Sequence, residues 1–315
     1  MTSSVATPTD DELASALHGL VAAAFDVVAR RPNAYTSSCR SEVVTIRSGD
    51  GRLCQLLVKY DRGRPDPFPS CRHGIDYCGR VYETVVEPLP LPHLRALGTI
   101  RVGPERTAAI VIEYLDDAFR VGDAPDGSGI LAAAKWCGCF HRLTESGRDA
   151  AELAFLARYD AAYYGAWADR AVQFATAVGG HAPWIDRCAR AFRRMADGLA
   201  ASPTTVIHGE MGPQNVLWRE GAIYPVDWES AAVGPGEIDL AALLHGWPAQ
   251  TVERCITAYW NMRQTPCPAD FRSRWDAATL YTALRWLPPP SGRADPLFNV
   301  AIERLRRTAA ALGIR

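Results

Sequence analysis

Strand-like and helix-like periodicities are segregated along this chain, and their order restricts the folds open to it. "SEVVTI" (41–46), the turn "RSGDG" (47–51) and "LCQLLVKY" (53–60) read as two strands with a Gly-Asp-Gly connection. "TAAIVIEYL" (107–115) reads as a buried strand from its β-branched run. From Ile130 to Leu199 the tendency is helical, most clearly in "ILAAAKWCGCFHRL" and "RYDAAYYGAWADRAVQFATAV". Helical patterns return in "GEIDLAALLHGW", "TVERCITAYW", "SRWDAATLYTALRWL" and "VAIERLRRTAAAL". Between them lies "VIHGEMGPQNVLWREGAIYPVDWE" (206–229), whose two short apolar runs bracket "REG" as in a β-hairpin. Towards the N-terminus, Leu13, Leu17, Leu20, Val21, Ala24, Val27 and Val28 predict a helix over Glu12 to Arg30. "IDYCGRVYETVVEPL" predicts another, ended by Pro88, because proline is excluded from a helix interior. The reading is an α+β chain of two lobes. Residues 1–12 are expected to be frayed, 13–116 to form a small strand-rich lobe ending in a hinge, and 117–315 a larger helical lobe.

Charge and cysteine content exclude several functions. A formal net charge of −1 gives no electrostatic reason to expect nucleic acid or an anionic membrane as partner. "MTSSVATPTDDE" lacks the basic and apolar regions of a secretion signal, and Asp26 interrupts the most apolar early run well short of the ~20 residues of a membrane span. Nine cysteines without a CxxC pair suggest reduced thiols in a cytoplasmic protein. Nearly every basic residue is arginine, and lysine occurs only at Lys59 and Lys135. Lys135, mid-helix beside "AAA", reads as part of a solvated face, and His141 on an apolar helix as a core histidine.

The chemistry concentrates in a few residues. His208-Gly209-Glu210 with Asn215, Asp227 in "VDWE", Asp239 in "GEIDLA", Lys59 in "LLVKY" and "AAKWCGCFH" (133–141) together resemble the aminoglycoside phosphotransferase and choline kinase family. The resemblance runs roughly from Asn33 to Trp260. It implies a two-lobed protein-kinase-like fold, ATP and Mg²⁺ as cofactors, and transfer of the γ-phosphate to an alcohol. Phosphoryl transfer asks mainly for positioning and charge neutralisation. Asp227 at a strand end and Asn215 are then the hard-oxygen magnesium ligands. Lys59 is the compact point charge for the α- and β-phosphates. Glu210 stands where the family has its catalytic aspartate and faces the acceptor hydroxyl. His208 is implied as a structural histidine and Asp239 as a carboxylate bracing the loop. Ser37 and Ser38 in "AYTSSCRS" occupy the nucleotide-loop position, and the backbone of Glu113, Tyr114 and Leu115 is expected to meet the adenine.

Two departures from the family pattern stand out. Glu210 is one methylene longer than aspartate, though the same acid. Cys78 and Gly79 occupy the place where the family presents a glutamate to the lysine, and Glu83 and Glu87 lie further along that helix.

On the acceptor, an aminoglycoside is a polycation whose site should be lined with carboxylates. After Trp228 the arginines slightly outnumber the acids, which favours a neutral or anionic hydroxyl compound or a peptide. Tyr163, Tyr164, Trp167, Trp184, Tyr259, Trp260, Trp275 and Trp286 read as helix core before they read as a peptide groove. The expected function is therefore an ATP/Mg²⁺ phosphotransferase acting on a small-molecule or peptidyl hydroxyl. Two alternatives stay open. One is a Ser/Thr peptide kinase working beside a partner enzyme in a ribosomal-peptide pathway of lanthipeptide or thioamide type. The other is a pseudokinase scaffold, suggested by Cys78 and the serine loop. A two-metal hydrolase is disfavoured because the acids are too few.

Overall fold

The computed structural model describes residues 8–21, 24–34, 39–61, 72–124, 127–145, 151–177, 183–288 and 298–314. In chain order the elements begin with α1 (Asp10–Leu17), β1 (Phe25–Pro32), β2 (Ser41–Ser48), β3 (Leu53–Tyr60), α2 (Ile75–Val81), β4 (Ala96–Val102), β5 (Thr107–Glu113) and β6 (Phe119–Arg120). There follow α3 (Ser128–Leu143), β7 (Ala157–Arg158), α4 (Ala161–Ala177), α5 (Pro183–Ala200), β8 (Thr204–Ile207), β9 (Val216–Arg219), β10 (Ala222–Pro225) and β11 (Ala232–Pro235). The last four helices are α6 (Glu237–Leu243), α7 (Ala249–Arg263), α8 (Phe271–Arg285) and α9 (Phe298–Ala311). No helix among the described residues is long and apolar enough to cross a membrane.

The chain divides into two compact units, one of Met1–Arg120 with Leu217–Ser230, the other of Val121–Val216 with Ala231–Arg315. In the first, a five-stranded sheet runs in the order β1-β2-β3-β5-β4 with antiparallel neighbours. Alternation decides its faces. Val44 and Ile46, Leu56, Val58 and Tyr60, and Ala109 and Val111 join Leu13 and Leu17 of α1 in one apolar core. Lys59, between Val58 and Tyr60 and paired with Ile110 of β5, therefore belongs to the other face. The hairpin β9–β10 extends through β6, with Phe119 opposite Trp218.

The predicted helix over Glu12–Arg30 is a correction. α1 is capped by Thr9, which exchanges hydrogen bonds with Glu12, and it ends at Leu17 before Gly19. Phe25–Pro32 then forms an edge strand against β2, bulged between Val27 and Ala29. The bulge breaks the two-residue alternation, so the apolar spacing imitates a helix. α2 is present as expected, but Tyr82–Val86 continues it as a π-helical turn.

The second unit is helical around a small sheet ordered β7-β11-β8. The two-residue strand β7 interrupts a stretch read as wholly helical, because Ala157 and Arg158 pair in parallel with Ala232 and Val233. α3 packs closely on α7 because Gly138 lacks a side chain. A Cβ there would lie 2.4 Å from the Tyr259 carbonyl oxygen and 3.0 Å from Met262 Cβ. The first contact is with backbone and cannot turn aside. Gly138→Ala is expected to destabilise the fold by about 1–3 kcal/mol, as overpacking does. Urea denaturation checks this through a lower midpoint at unchanged slope.

Candidate active site

In the first unit β3 carries Lys59 to a buried position, 5 % exposed. Its Nζ donates to Asp227 Oδ1 at 2.8 Å and forms a second ion pair with Glu229. Asp227 follows β10 at φ +68°, a left-handed conformation that aspartate tolerates better than most side chains. That turn delivers Trp228–Ser230 as a 3₁₀ turn, with Trp228 fully buried and edge-on to Tyr82 at 6.5 Å. Glu229 is buried too, and the Cys39 thiol donates to its Oε1 at 3.7 Å. Burial pulls the Lys59 ammonium down, but Asp227 and then Glu229 outweigh it and hold it above its ordinary value.

The countercharge to Lys59 thus comes from the hairpin. Glu83 and Glu87 are exposed, and Glu87 Oε1 accepts from the Ala96 amide at 3.2 Å. Cys78 lies buried beside this cluster, where burial pushes its thiol up to about 12, so it remains neutral. Asp227 is the most accessible of the three charged groups, its side chain 30 % exposed, which suits a carboxylate that would take a hard cation.

The hinge residues are only partly open to a ligand. The Glu113 amide donates to the Arg95 carbonyl at 2.9 Å and the Tyr114 amide to Gln55 at 3.2 Å. The Leu115 amide makes no backbone hydrogen bond among the described residues. Ser37 and Ser38 lie outside the described residues.

In the second unit the loop after β8 is held from two helices. Asp239 of α6, wholly buried, accepts from the His208 amide at 2.6 Å and the Gly209 amide at 2.8 Å. His141 Nε2 lies 3.1 Å from the same carboxylate, and its Nδ1 meets the Tyr259 hydroxyl at 2.9 Å. Gly209, at φ +79°, permits the turn that follows. Arg285 of α8 then closes the loop from the other side, donating to the Gly209 carbonyl at 2.6 Å and to Glu210 Oε1 at 2.8 Å. The Glu210 carbonyl accepts from the Gly212 amide at 2.7 Å and from Asn215 Nδ2 at 3.0 Å. That bond fixes the Asn215 amide and leaves its Oδ1 as the atom that could meet a cation.

Sequence reasoning missed Glu229 and Arg285. Glu229 was in view, two residues after Asp227, but only the left-handed turn at Asp227 brings it to Lys59. For Arg285 the signal was an arginine on the apolar face of "LYTALRWL", where its side chain is 5 % exposed. Of the aromatic residues, Tyr164, Trp167, Tyr259 and Trp260 are core, whereas Trp286 is 37 % exposed.

The model of the phosphotransferase enzyme family (APH) matches residues 41–287. Among solved structures, the GDP complex of aminoglycoside 2'-phosphotransferase-IIIa aligns with a TM-score of 0.63 at 10% identity, covering 96% of this chain and 99% of that one. The macrolide 2'-phosphotransferase of Brachybacterium faecium aligns at 0.57 and 19% identity, covering 96% and 98%. A choline/ethanolamine kinase family protein from Mesorhizobium loti aligns at 0.59 and 18% identity, covering 95% and 93%. No curated protein matches the chain.

Proposed function

The chain belongs to the phosphotransferase enzyme family, and on that premise we propose that it moves the γ-phosphate of ATP, as the magnesium complex, to a hydroxyl of a small molecule or peptide. The observation that carries this reading is the buried Lys59 ammonium shared between Asp227 and Glu229. A lysine held charged at this depth is suited to phosphate oxygens, and Glu229 provides the countercharge that Cys78 does not. That supports an active kinase over a pseudokinase.

Asp227 and Asn215 would hold magnesium, whose charge would neutralise the phosphates. In the reaction the acceptor oxygen bonds to the γ-phosphorus while the bond from phosphorus to the ADP oxygen breaks. Glu210 orients the hydroxyl and takes its proton. Its ion pair with Arg285 fixes the carboxylate, and a loose transition state asks for orientation more than for basicity. The longer arm of glutamate is thereby tied to one position. His208 and Asp239 support the loop, and Leu115 offers the amide for the adenine. ATP as donor and free thiols at the described cysteines accord with action in the cytoplasm.

Calorimetry tests the reading. ATP binds with magnesium, and chelating the metal weakens it by about tenfold or more, roughly 1.4 kcal/mol. ATP that binds equally well without magnesium, or not at all, would count against a kinase.

A further inference from the structure

Beside Glu210 the second unit contains a cavity of about 140 Å³, with Glu210, His245, Thr282, Arg285, Trp286 and Arg304 in its wall. The charges of its described residues do not balance. Glu210 and Arg285 neutralise one another at 2.8 Å. Burial, with Arg304 and Arg307 adding to it, brings the His245 imidazole down to about 4, so that ring is uncharged near neutrality. The Thr282 hydroxyl is spent on the Thr279 carbonyl at 2.9 Å. Arg304 remains. Its guanidinium lies 5.5 Å from the Trp286 ring centre, and its enclosed Nε has no hydrogen-bond partner among the described residues. The adjacent Glu303 is engaged by Arg306 and Arg307 instead. Burial lowers Arg304 only to about 10, which leaves it charged. Arg304 is half-buried with its Nε enclosed, and an enclosed donor is ordinarily satisfied.

We propose that this cavity receives an anionic group of the phosphate acceptor, with Arg304 as its countercharge and Trp286 as its apolar wall, so that the acceptor is a carboxylate- or phosphate-bearing alcohol. The proposal rests on Glu210 acting at the acceptor. It makes the cavity the reverse of a polycation site, since the one unbalanced charge among its described residues is positive. The size fits a group of few atoms, because a dry cavity of ~150 Å³ admits a benzene-sized molecule. A guanidinium presents its N–H groups as a fork that suits either oxyanion.

Lactate, lactamide and 1-amino-2-propanol form a matched set of anion, neutral amide and cation, and glycerol 3-phosphate adds the phosphate arm. Calorimetry on the whole protein is expected to find lactate or glycerol 3-phosphate bound at least about tenfold more tightly than lactamide, as for one charge-assisted hydrogen bond. The amino alcohol should be weakest. Arg304→Met abolishes the preference and Arg304→Lys keeps part of it, so a loss confined to methionine is not a folding failure. Whichever anion binds more tightly identifies the group. Lactamide or the amino alcohol binding as well as the anions, no anion binding, or a preference surviving in R304M would overturn the proposal. MgATP binding by the wild type is read separately. Anion preference without MgATP binding removes the kinase and leaves the anion site, whereas MgATP binding without anion preference does the opposite.

Discussion

Glu229→Gln is expected to lower kcat/KM for ATP by about a hundredfold, equivalent to roughly 2.7 kcal/mol of transition-state stabilisation. The ammonium of Lys59 is divided between two carboxylates, and Glu229 is the more deeply buried of them. With glutamine at 229, Asp227 becomes the sole carboxylate on the lysine among the described residues and would be drawn away from the metal it would hold. Breaking a buried charge pair costs about 3–5 kcal/mol, so the loss should appear in both KM and kcat. Steady-state kinetics with ATP varied measures it, with a thermal melt to confirm that the variant folds. Glu83→Gln and Glu87→Gln are the contrasting cases, since both side chains are exposed, and neither should change the rate. An E229Q enzyme with unaltered kinetics would mean that Asp227 alone positions Lys59.

The second large effect is on stability. Asp239→Asn replaces one carboxylate oxygen by an NH₂ group in a site where that carboxylate meets the His208 amide, the Gly209 amide and His141 Nε2. An N–H then opposes an N–H in a place closed to water. The cost is about 3 kcal/mol, the upper range for a buried group left unsatisfied. For a chain of 315 residues, with about 2 cal/mol/K of unfolding entropy per residue, that lowers Tm by roughly 4–5 °C. Calorimetric melting gives the shift. Turnover measured well below the new Tm should fall as well, because the same two amides set the course of the loop into Glu210. A variant that melts with the wild type would show the loop to be held by Arg285 alone.

Much of the fold was legible because its elements keep clean periods. The alternation of "LCQLLVKY" puts Lys59 opposite the apolar side of its sheet, and the turn chemistry of "REG" announces the hairpin. Where a period was disturbed, the reading failed. β1 is a bulged edge strand with little buried surface, and its valines fell into step with the preceding helix. The candidate site was legible to the extent that its residues stand out singly, as Lys59 and Asp227 do, and the structure pairs these two. Its two added members depend on contacts that no local pattern encodes. Glu229 reaches Lys59 through a left-handed turn, and Arg285 reaches Glu210 across 75 positions of sequence. The glutamate missing near Cys78 could be noticed in the sequence, but its replacement had to be found in space.

The division of the chain also sets an order of synthesis. Lys59 is made 168 positions before Asp227, and both belong to the unit that begins at the N-terminus. A ribosome adding about 5–20 residues per second needs on the order of ten seconds or more to bridge that interval. Through it the nascent sheet holds a lysine on its face with neither carboxylate yet made, while α3, α4 and α5 emerge behind it. The unit started first is completed only when Ser230 has left the tunnel, and a fragment cut after Arg120 would carry its buried cation unmatched.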